Sequence, residues 1–222
     1  MSVEEKISRR RVLGMSLAVT GIAFFGGARS ALAQALKRTS SEIAGPFYPN
    51  FKLLEQDADL TIVAGRSARA QGQVIHLMGR VLNLQGEPVS GAKIKIWQAN
   101  THGRYAHPRD KNPATLDPNF QGSAVQVTDV EGRYRFKTIK PGAYPASPDW
   151  LRPPHIHFEV ISNGSHLVTQ MYFPGEPMNE QDLLLQGMRA NQEGAIATLL
   201  PPTDEVAADS LLAVWDIVLD WD

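Results

Sequence analysis

Two histidines in the sequence R-P-P-H-I-H-F, at residues 152–158, are spaced so that they could bind one metal ion. His155 and His157 are two residues apart, and on a β-strand such residues point to the same face. Ile156 and Phe158 point to the other face and are apolar, which suits a core. The same His-x-His pattern occurs in zinc hydrolases and cupins, and often in strands with no metal site. The pair alone therefore does not define a function.

Two tyrosines add oxygen donors to this chemistry. Tyr144 lies in the sequence G-A-Y-P, which predicts a loop, and Tyr105 ends the sequence G-R-Y just after a predicted strand. A phenolate is a hard, anionic donor that favours Fe(III) over Fe(II). The chain has no cysteine, which excludes disulfides, iron–sulfur clusters and thiolate zinc sites. Two histidines with two tyrosines thus indicate ferric iron rather than the Fe(II) site built from two histidines and one carboxylate.

The elements that would position these residues are short strands separated by Gly, Pro and Asp turns. The sequence A-K-I-K-I-W-Q, for example, alternates apolar and polar residues as a half-buried strand does. Strands are predicted at residues 74–82, 92–98, 124–128, 134–139, 155–161, 166–173 and 211–219, with a short helix at 181–190. The pattern predicts an all-β fold, a β-sandwich with an irregular N-terminal segment and a short helical insertion.

Residues 1–33 have the features of an export signal. Arginines at positions 9–11 precede an apolar run at residues 12–28, and A-L-A at 31–33 has the pattern of a signal peptidase site. The segment resembles a twin-arginine (Tat) signal, which exports folded proteins, so the sequence predicts a periplasmic or extracellular protein. The alternative is a retained membrane anchor, but the run is short for a span of about 20 residues and contains glycines. A single catalytic domain is predicted over residues 34–222.

Five ordered motifs resemble those of the intradiol ring-cleavage dioxygenases, most closely the protocatechuate 3,4-dioxygenase subunits. They are A-G-P-F-Y at residues 44–48, G-E-P-V-S-G-A-K-I-K-I-W-Q-A-N-T-H-G-R-Y at 86–105, T-I-K-P-G-A-Y-P at 138–145, R-P-P-H-I-H-F at 152–158 and T-Q-M-Y-F at 169–173. Together they extend over most of the chain that follows the predicted signal.

The resemblance implies a non-haem Fe(III) dioxygenase with one iron per chain. Such an enzyme cleaves a catechol-type ring between its two hydroxylated carbons with O₂ and gives a cis,cis-muconate-type product. Carried over residue by residue, the positions that match the iron ligands are Tyr105, Tyr144, His155 and His157. The resemblance also makes Tyr144 the ligand that leaves and accepts a substrate proton. Arg152 matches the active-site arginine that stabilises negative charge on the substrate, and Gln170 matches the glutamine beside it.

Substrate and assembly are left open by the resemblance. The stretch between Tyr144 and His155 is shorter than in the protocatechuate enzymes, and Ala146 stands where a tryptophan often follows Tyr-Pro. Catechol, hydroxyquinol, protocatechuate and a lignin-derived aromatic are therefore all candidate substrates. The protocatechuate enzymes pair two related subunits, so this chain is expected to be the iron-bearing type or a homo-oligomer. A net charge of −1 argues against nucleic-acid binding, and no membrane contact is expected after signal cleavage.

Two other functions would use parts of the same sequence. The stretch at residues 79–92 resembles transthyretin-like and carboxypeptidase-regulatory-like modules, which act as binding or spacer domains. That resemblance explains neither Tyr144 nor the histidine pair. A zinc hydrolase could use His155 and His157, but no third histidine or carboxylate lies at motif spacing. Metal analysis separates the three hypotheses, which expect iron, no metal and zinc respectively.

Overall fold

The computed structural model describes residues 36–49, 58–162, 164–203 and 207–220. The predicted signal at residues 1–33 lies outside the described residues. The described part of the chain is mostly β-strand with a few short helices, which confirms the predicted all-β class. None of the helices in that part is long and apolar enough to cross a membrane.

Within the described residues, eleven strands form two main sheets and one short hairpin. In chain order they are β1 (Val74–Leu82), β2 (Lys93–Trp97), β3 (Ser123–Val127), β4 (Arg133–Ile139), β5 (Tyr144–Ser147), β6 (Trp150–Arg152), β7 (His155–Ser162), β8 (Ser165–Tyr172), β9 (Thr198–Leu200), β10 (Leu211–Val214) and β11 (Ile217–Val218). The first sheet has the order β11-β1-β10-β9 with β4 also paired to β1, and the second has the order β3-β2-β7-β8. Strands β5 and β6 pair only with each other.

The two main sheets share one hydrophobic core. Leu77 of β1 and Phe136 of β4 contribute from the first sheet, while Ile96 of β2 and Ile156 and Phe158 of β7 contribute from the second, and all five side chains are fully buried. Burying a side chain of this size stabilises the folded state by about 1.5–3 kcal/mol. The alternation of apolar residues in β2 and β7 therefore fixes which face of the second sheet points inward.

The last predicted strand, at residues 211–219, is interrupted in the structure. β10 and β11 both run parallel to β1, but Trp215 and Asp216 separate them. The Asp216 side chain accepts a hydrogen bond of 2.8 Å from the backbone N–H of Arg80, and the Trp215 carbonyl accepts one of 2.6 Å from the Tyr134 hydroxyl. A side-chain carboxylate thus takes a place that a backbone carbonyl would fill in an uninterrupted strand.

The helical insertion between β8 and β9 is more broken than the sequence predicts. It holds a 3₁₀ turn at Pro177–Gln181, helix α1 (Leu183–Gly187), a second 3₁₀ turn at Arg189–Asn191 and helix α2 (Gln192–Ala195). Asp182 is the N-cap of α1, because its side chain accepts a hydrogen bond of 2.9 Å from the backbone N–H of Leu185. The helix predicted at 181–190 overlaps α1 but does not continue through the second turn.

Candidate metal centre

Strand β7 places the two candidate histidine ligands side by side. His155 and His157 are each only 2% exposed, and their ring centroids are 4.9 Å apart. Ile156 and Phe158 point the other way, into the core between the sheets. The spacing of two residues predicted that both imidazoles lie on one face of the strand, and the structure confirms this.

The orientation of His155 gives one of its ring nitrogens a lone pair that could bind a metal. Its Nδ1 lies 2.7 Å from the carbonyl oxygen of Pro153, which assigns the ring proton to Nδ1 and a lone pair to Nε2. Burial lowers the pKa of His155 well below its usual value, and the nearby charge of Arg152 lowers it further. The imidazole is therefore neutral, which is the form that binds metals.

His157 is held between an aromatic ring and a glycine. Its ring stacks on Trp97 at a centroid distance of 4.9 Å and an interplanar angle of 6°. Gly45 also lies against the ring, and an added Cβ there would be 3.4 Å from Cε1 of His157. Burial, followed by the neighbouring His155, lowers the pKa of His157 well below its usual value. The Nε2 atom of this neutral ring is 3.1 Å from the hydroxyl oxygen of Tyr105.

The two candidate tyrosine ligands meet at this point from different parts of the chain. Tyr105 follows β2, and its backbone N–H donates a hydrogen bond of 2.7 Å to Asp110. Its ring lies edge-on to that of Tyr144, with centroids 5.3 Å apart, and Tyr144 lies 5.5 Å from the ring of His155. Burial raises the pKa of both phenols, so a cation close to their oxygens is needed to hold them as phenolates.

The loop that was predicted around Tyr144 is instead the start of a strand. Tyr144 is the first residue of β5 and pairs directly with Arg152 in β6. The loop prediction was wrong because Gly142 and Pro145 dominate the local pattern, whereas the partner strand lies several residues further on. The pairing sets the position of the candidate leaving tyrosine relative to the candidate catalytic arginine.

Two glycines join the segments that carry the tyrosines. The backbone N–H groups of Gly103 and Gly142 both donate to the carbonyl of Asn100, at 3.0 and 2.9 Å. A Cβ at Gly103 would lie 2.0 Å from the carbonyl oxygen of Ala143, and one at Gly142 would lie 2.4 Å from that of Thr101. Gly103 also has φ of +76°, a conformation that favours glycine. Because neither glycine has a side chain, the backbone segments that carry the two tyrosines can lie in direct contact.

Arg152 lies beside the histidines with its guanidinium buried and fully hydrogen-bonded. It donates from Nη1 to Gln170 at 2.9 Å, from Nη2 to the Tyr172 hydroxyl at 2.8 Å, and from Nε and Nη2 to Asp182 at 2.9 and 3.0 Å. Its Nη1 is also 3.2 Å from Nε2 of His155. Gln170 was predicted from the sequence, but Asp182 and Tyr172 were not.

Asp182 is the main support for the positive charge of this buried arginine. Burial opposes that charge most strongly, but the hydrogen bonds to Asp182 and the charges of Tyr172, Asp182 and Tyr144 together outweigh burial, and the pKa of the guanidinium is raised above its usual value. Asp182 follows Arg152 by 30 residues, and its place before an apolar turn signals only a helix N-cap. No local pattern could have linked it to the site.

A segment near the N-terminus covers the candidate centre. Phe47 packs on Tyr105 with ring centroids 4.6 Å apart, and it lies 6.0 Å from the ring of Tyr144. The carbonyl of Ile43 accepts a hydrogen bond of 3.0 Å from the side chain of Gln170. Residues 43–47 therefore shield the donors from solvent on one side.

Glu42 connects this segment to the arginine network. Its carboxyl accepts a hydrogen bond of 3.1 Å from the hydroxyl of Tyr172, which itself accepts one from Arg152. Burial raises the pKa of Glu42 to about 7, against the lowering effect of Tyr172 and Arg152. A carboxyl group that titrates near neutrality thus lies two hydrogen bonds away from the arginine.

The donor set fits a hard, highly charged cation. Among the described residues, no group of three or more His, Cys, Asp or Glu could hold a metal ion. The donors that accompany the two neutral imidazoles are instead phenol oxygens. Two imidazole nitrogens and two phenol oxygens that need a cation in order to ionise suit Fe(III) better than Zn²⁺ or Fe(II).

Comparison with known proteins gives a consistent set of relatives. A family model described as "Dioxygenase" matches residues 43–221. The protocatechuate 3,4-dioxygenase beta chain of Burkholderia cepacia is 47% identical over 156 residues, which cover 68% of this chain and 66% of that protein. A catechol 1,2-dioxygenase of Candida albicans is 32% identical over 165 residues, which cover 65% of this chain and 50% of that protein. The chain thus spans about half to two thirds of the length of these relatives.

A solved structure shows the same similarity. The dioxygenase domain of a dioxygenase–carbohydrate-binding fusion from Streptomyces sp. SirexAA-E superposes with a TM-score of 0.61 at 26% identity. The superposition covers 84% of this chain and 100% of that domain. The similarity therefore extends over the whole length of that domain.

Proposed function

The chain belongs to the intradiol ring-cleavage dioxygenase family, and on that premise we propose that it opens a catechol-type ring between its two hydroxylated carbons with O₂, giving a cis,cis-muconate-type product. The observation that carries the proposal is the meeting of two neutral, buried imidazoles with two buried phenols beside a buried arginine. Neither a spacer module nor a zinc hydrolase needs this combination.

The proposed metal is one non-haem Fe(III) per chain. Its ligands would be Tyr105, Tyr144, His155 and His157. When bound, ferric iron supplies a Lewis acid that binds the catechol oxygens and lowers their pKa values. Support comes from the lone pair that the hydrogen-bonded Nδ1 leaves on Nε2 of His155 and from the Nε2 of His157 beside the Tyr105 oxygen.

Tyr144 is suited to accept a proton from the substrate. Because burial raises the pKa of its phenol, a Tyr144 phenolate would take up a proton readily. The Tyr144 hydroxyl has hydrogen-bonding contacts with both Tyr105 and Arg152, which keep the side chain near the site. Arg152 then offers a fixed positive charge to the negative charge that develops on the substrate, while Phe47 and Trp97 exclude water.

Location and assembly complete the proposal. The arginines at positions 9–11 and the A-L-A at 31–33 support export by the Tat route to the periplasm or beyond. The Burkholderia relative is named a beta chain, which supports pairing with a related subunit. The four candidate iron ligands all lie in this one chain, which fits either the iron-bearing subunit of such a pair or a homo-oligomer.

Iron analysis together with an oxygen-uptake assay tests the proposal. The purified protein should hold about one iron per chain, be red-brown from phenolate-to-iron charge transfer, and consume O₂ with at least one of catechol, protocatechuate and hydroxyquinol. A colourless zinc protein, or an iron protein that consumes no O₂ with any catechol, would contradict it.

A matched pair of Tyr→Phe variants tests whether Tyr144 belongs to the active site. Tyr144→Phe should retain the fold, alter the charge-transfer band and slow anaerobic catechol binding, because the proton acceptor is gone. Tyr134→Phe is the control, since Tyr134 is also buried but donates to the Trp215 carbonyl, away from the site. It should lose about 1 kcal/mol of stability and keep both colour and turnover. Equal effects of the two variants on the band would remove Tyr144 from the site.

A further inference from the structure

We propose that Asp182 is a positioning residue for ring cleavage, because it holds Arg152 so that a single guanidinium N–H faces the reacting centre. This inference rests on the proposed function. Asp182 lies in the helical insertion, outside all of the motifs that signal the family in the sequence.

The hydrogen bonds of Arg152 account for four of its five N–H donors. Asp182 accepts from Nε and from one N–H of Nη2, the Tyr172 hydroxyl accepts the other N–H of Nη2, and Gln170 accepts one N–H of Nη1. The fifth N–H, on Nη1, points towards Nε2 of His155 at 3.2 Å, and the Tyr144 hydroxyl also has a hydrogen-bonding contact with the guanidinium. Nε2 of His155 and the Tyr144 oxygen are both candidate metal ligands. A metal on them would therefore leave the fifth N–H available to the substrate.

Asp182 is itself held by hydrogen bonds to both of its carboxylate oxygens. Its side chain is fully buried, and its Oδ1 accepts from the backbone N–H of Leu185 at 2.9 Å as well as from Arg152. Oδ2 accepts from Nε of Arg152, so the ion pair is bidentate. A bidentate pair sets the plane of the guanidinium as well as its position. Helix α1 thereby anchors the arginine to the helical insertion.

The other two acceptors cannot replace this carboxylate. Gln170 and Tyr172 are neutral, and each accepts one hydrogen bond from Arg152. Gln170 also donates to the Ile43 carbonyl, which fixes it relative to the N-terminal segment rather than to the arginine alone. Loss of Asp182 leaves a buried guanidinium without its counter-charge and frees it to turn away from His155.

A double-mutant cycle on the iron-loaded enzyme tests the role of Asp182. The variants are Asp182→Asn, Arg152→Ala and the double variant, and each is measured for iron per chain, the resting charge-transfer band, anaerobic catechol binding and kcat. Asp182→Asn should keep iron and the band and lower kcat roughly 10²-fold, as Arg152→Ala does, with a smaller effect on catechol binding. The double variant should be no slower than Arg152→Ala, because Asp182 acts only through the arginine.

Two further variants separate positioning from folding. Met188→Ala removes a partly buried side chain at the C-terminal end of helix α1 and leaves the Asp182 contacts intact, so its kcat per iron should stay within about twofold of wild type. Asp182→Glu keeps the charge but displaces the carboxylate, and its kcat should fall between those of wild type and Asp182→Asn. If Asp182→Asn does not fold, Asp182→Glu takes its place in the cycle, and a wild-type kcat there overturns the inference.

The outcomes distinguish this inference from the proposed function. A wild-type protein without iron or without oxygen uptake rejects the function itself. An active wild type in which the losses of Asp182→Asn and Arg152→Ala multiply rejects only the positioning role. Loss of iron in Asp182→Asn would likewise overturn it, since the residue would then support the ligands.

Discussion

Replacing Gly103 with alanine tests whether the contact between the two tyrosine-bearing segments holds the candidate centre together. The new Cβ would lie 2.0 Å from the carbonyl oxygen of Ala143, whereas Cβ contacts below 3.0 Å are essentially never seen. The segments would therefore have to separate by about 1 Å, which costs about 1–3 kcal/mol or more in a packed region. Because Gly103 has φ of +76°, alanine adds about 1–2 kcal/mol of backbone strain.

Gly91→Ala is the matched control for the backbone strain. Gly91 has φ of +74°, but nothing lies within 4 Å of the position that its Cβ would take. It should therefore lose only the strain of about 1–2 kcal/mol, while Gly103→Ala should lose about 2–5 kcal/mol. The difference between the two variants in urea denaturation of the iron-free protein isolates the clash with Ala143.

The same substitution should affect iron binding and turnover. Ala143 immediately precedes Tyr144, so a displacement of about 1 Å reaches a candidate ligand and should reduce turnover about 10²-fold. Iron per chain, the charge-transfer band and oxygen uptake measure this loss, and Gly91→Ala should be normal in all three. If Gly103→Ala matches Gly91→Ala in stability, iron and turnover, the contact does not position the tyrosines.

Two other predictions concern Glu42 and the N-terminal arginines. Burial raises the pKa of the Glu42 carboxyl from 4.5 to about 7. As the pH rises between these two values, the carboxyl loses its proton in the unfolded chain before it does so in the folded protein. The folded state therefore loses up to about 3 kcal/mol of stability over this range. The ionisable groups that face it are Arg152, Tyr172 and Asp182. Glu42→Gln should flatten this dependence in denaturation curves between pH 5 and 8, and an unchanged slope would show that Glu42 ionises as it would in water. Arg9→Lys together with Arg10→Lys should hold an uncleaved precursor in the cytoplasm, and normal export of that variant would point to the general secretory route.

Strands with a simple apolar alternation could be predicted closely from the sequence. β1 spans Val74–Leu82, the range predicted, and β7 begins at His155 with both histidines on one face. Such strands are predictable because side chains alternate between the two faces, so apolar residues at every second position show which face is buried. The prediction of one strand at residues 211–219 was only partly correct. The interruption depends on Asp216 bonding to Arg80 of a distant strand, which no local pattern encodes.

The candidate site shows the same division between local and distant information. The two histidines, Arg152 and Gln170 lie in sequence motifs, so their identities and neighbours were accessible without a structure. Asp182 lies in no motif, and Tyr172 lies in the motif at residues 169–173 without any sign of its role there. Each reaches the arginine only through the tertiary fold. The strand pairing of Tyr144 was missed for a related reason, since its partner strand β6 has only three residues and little pattern of its own.

Strand β7 limits how this protein can change during evolution. Its four residues from His155 to Phe158 serve the candidate centre and the core alternately, so inserting or deleting one residue would turn the imidazoles into the apolar interior and Phe158 towards the site. Changes in chain length are more easily accepted outside the strand, for example next to Gly164, where an added Cβ would meet nothing within 4 Å. Gains in substrate range through altered loop lengths should therefore arise around this strand and never within it.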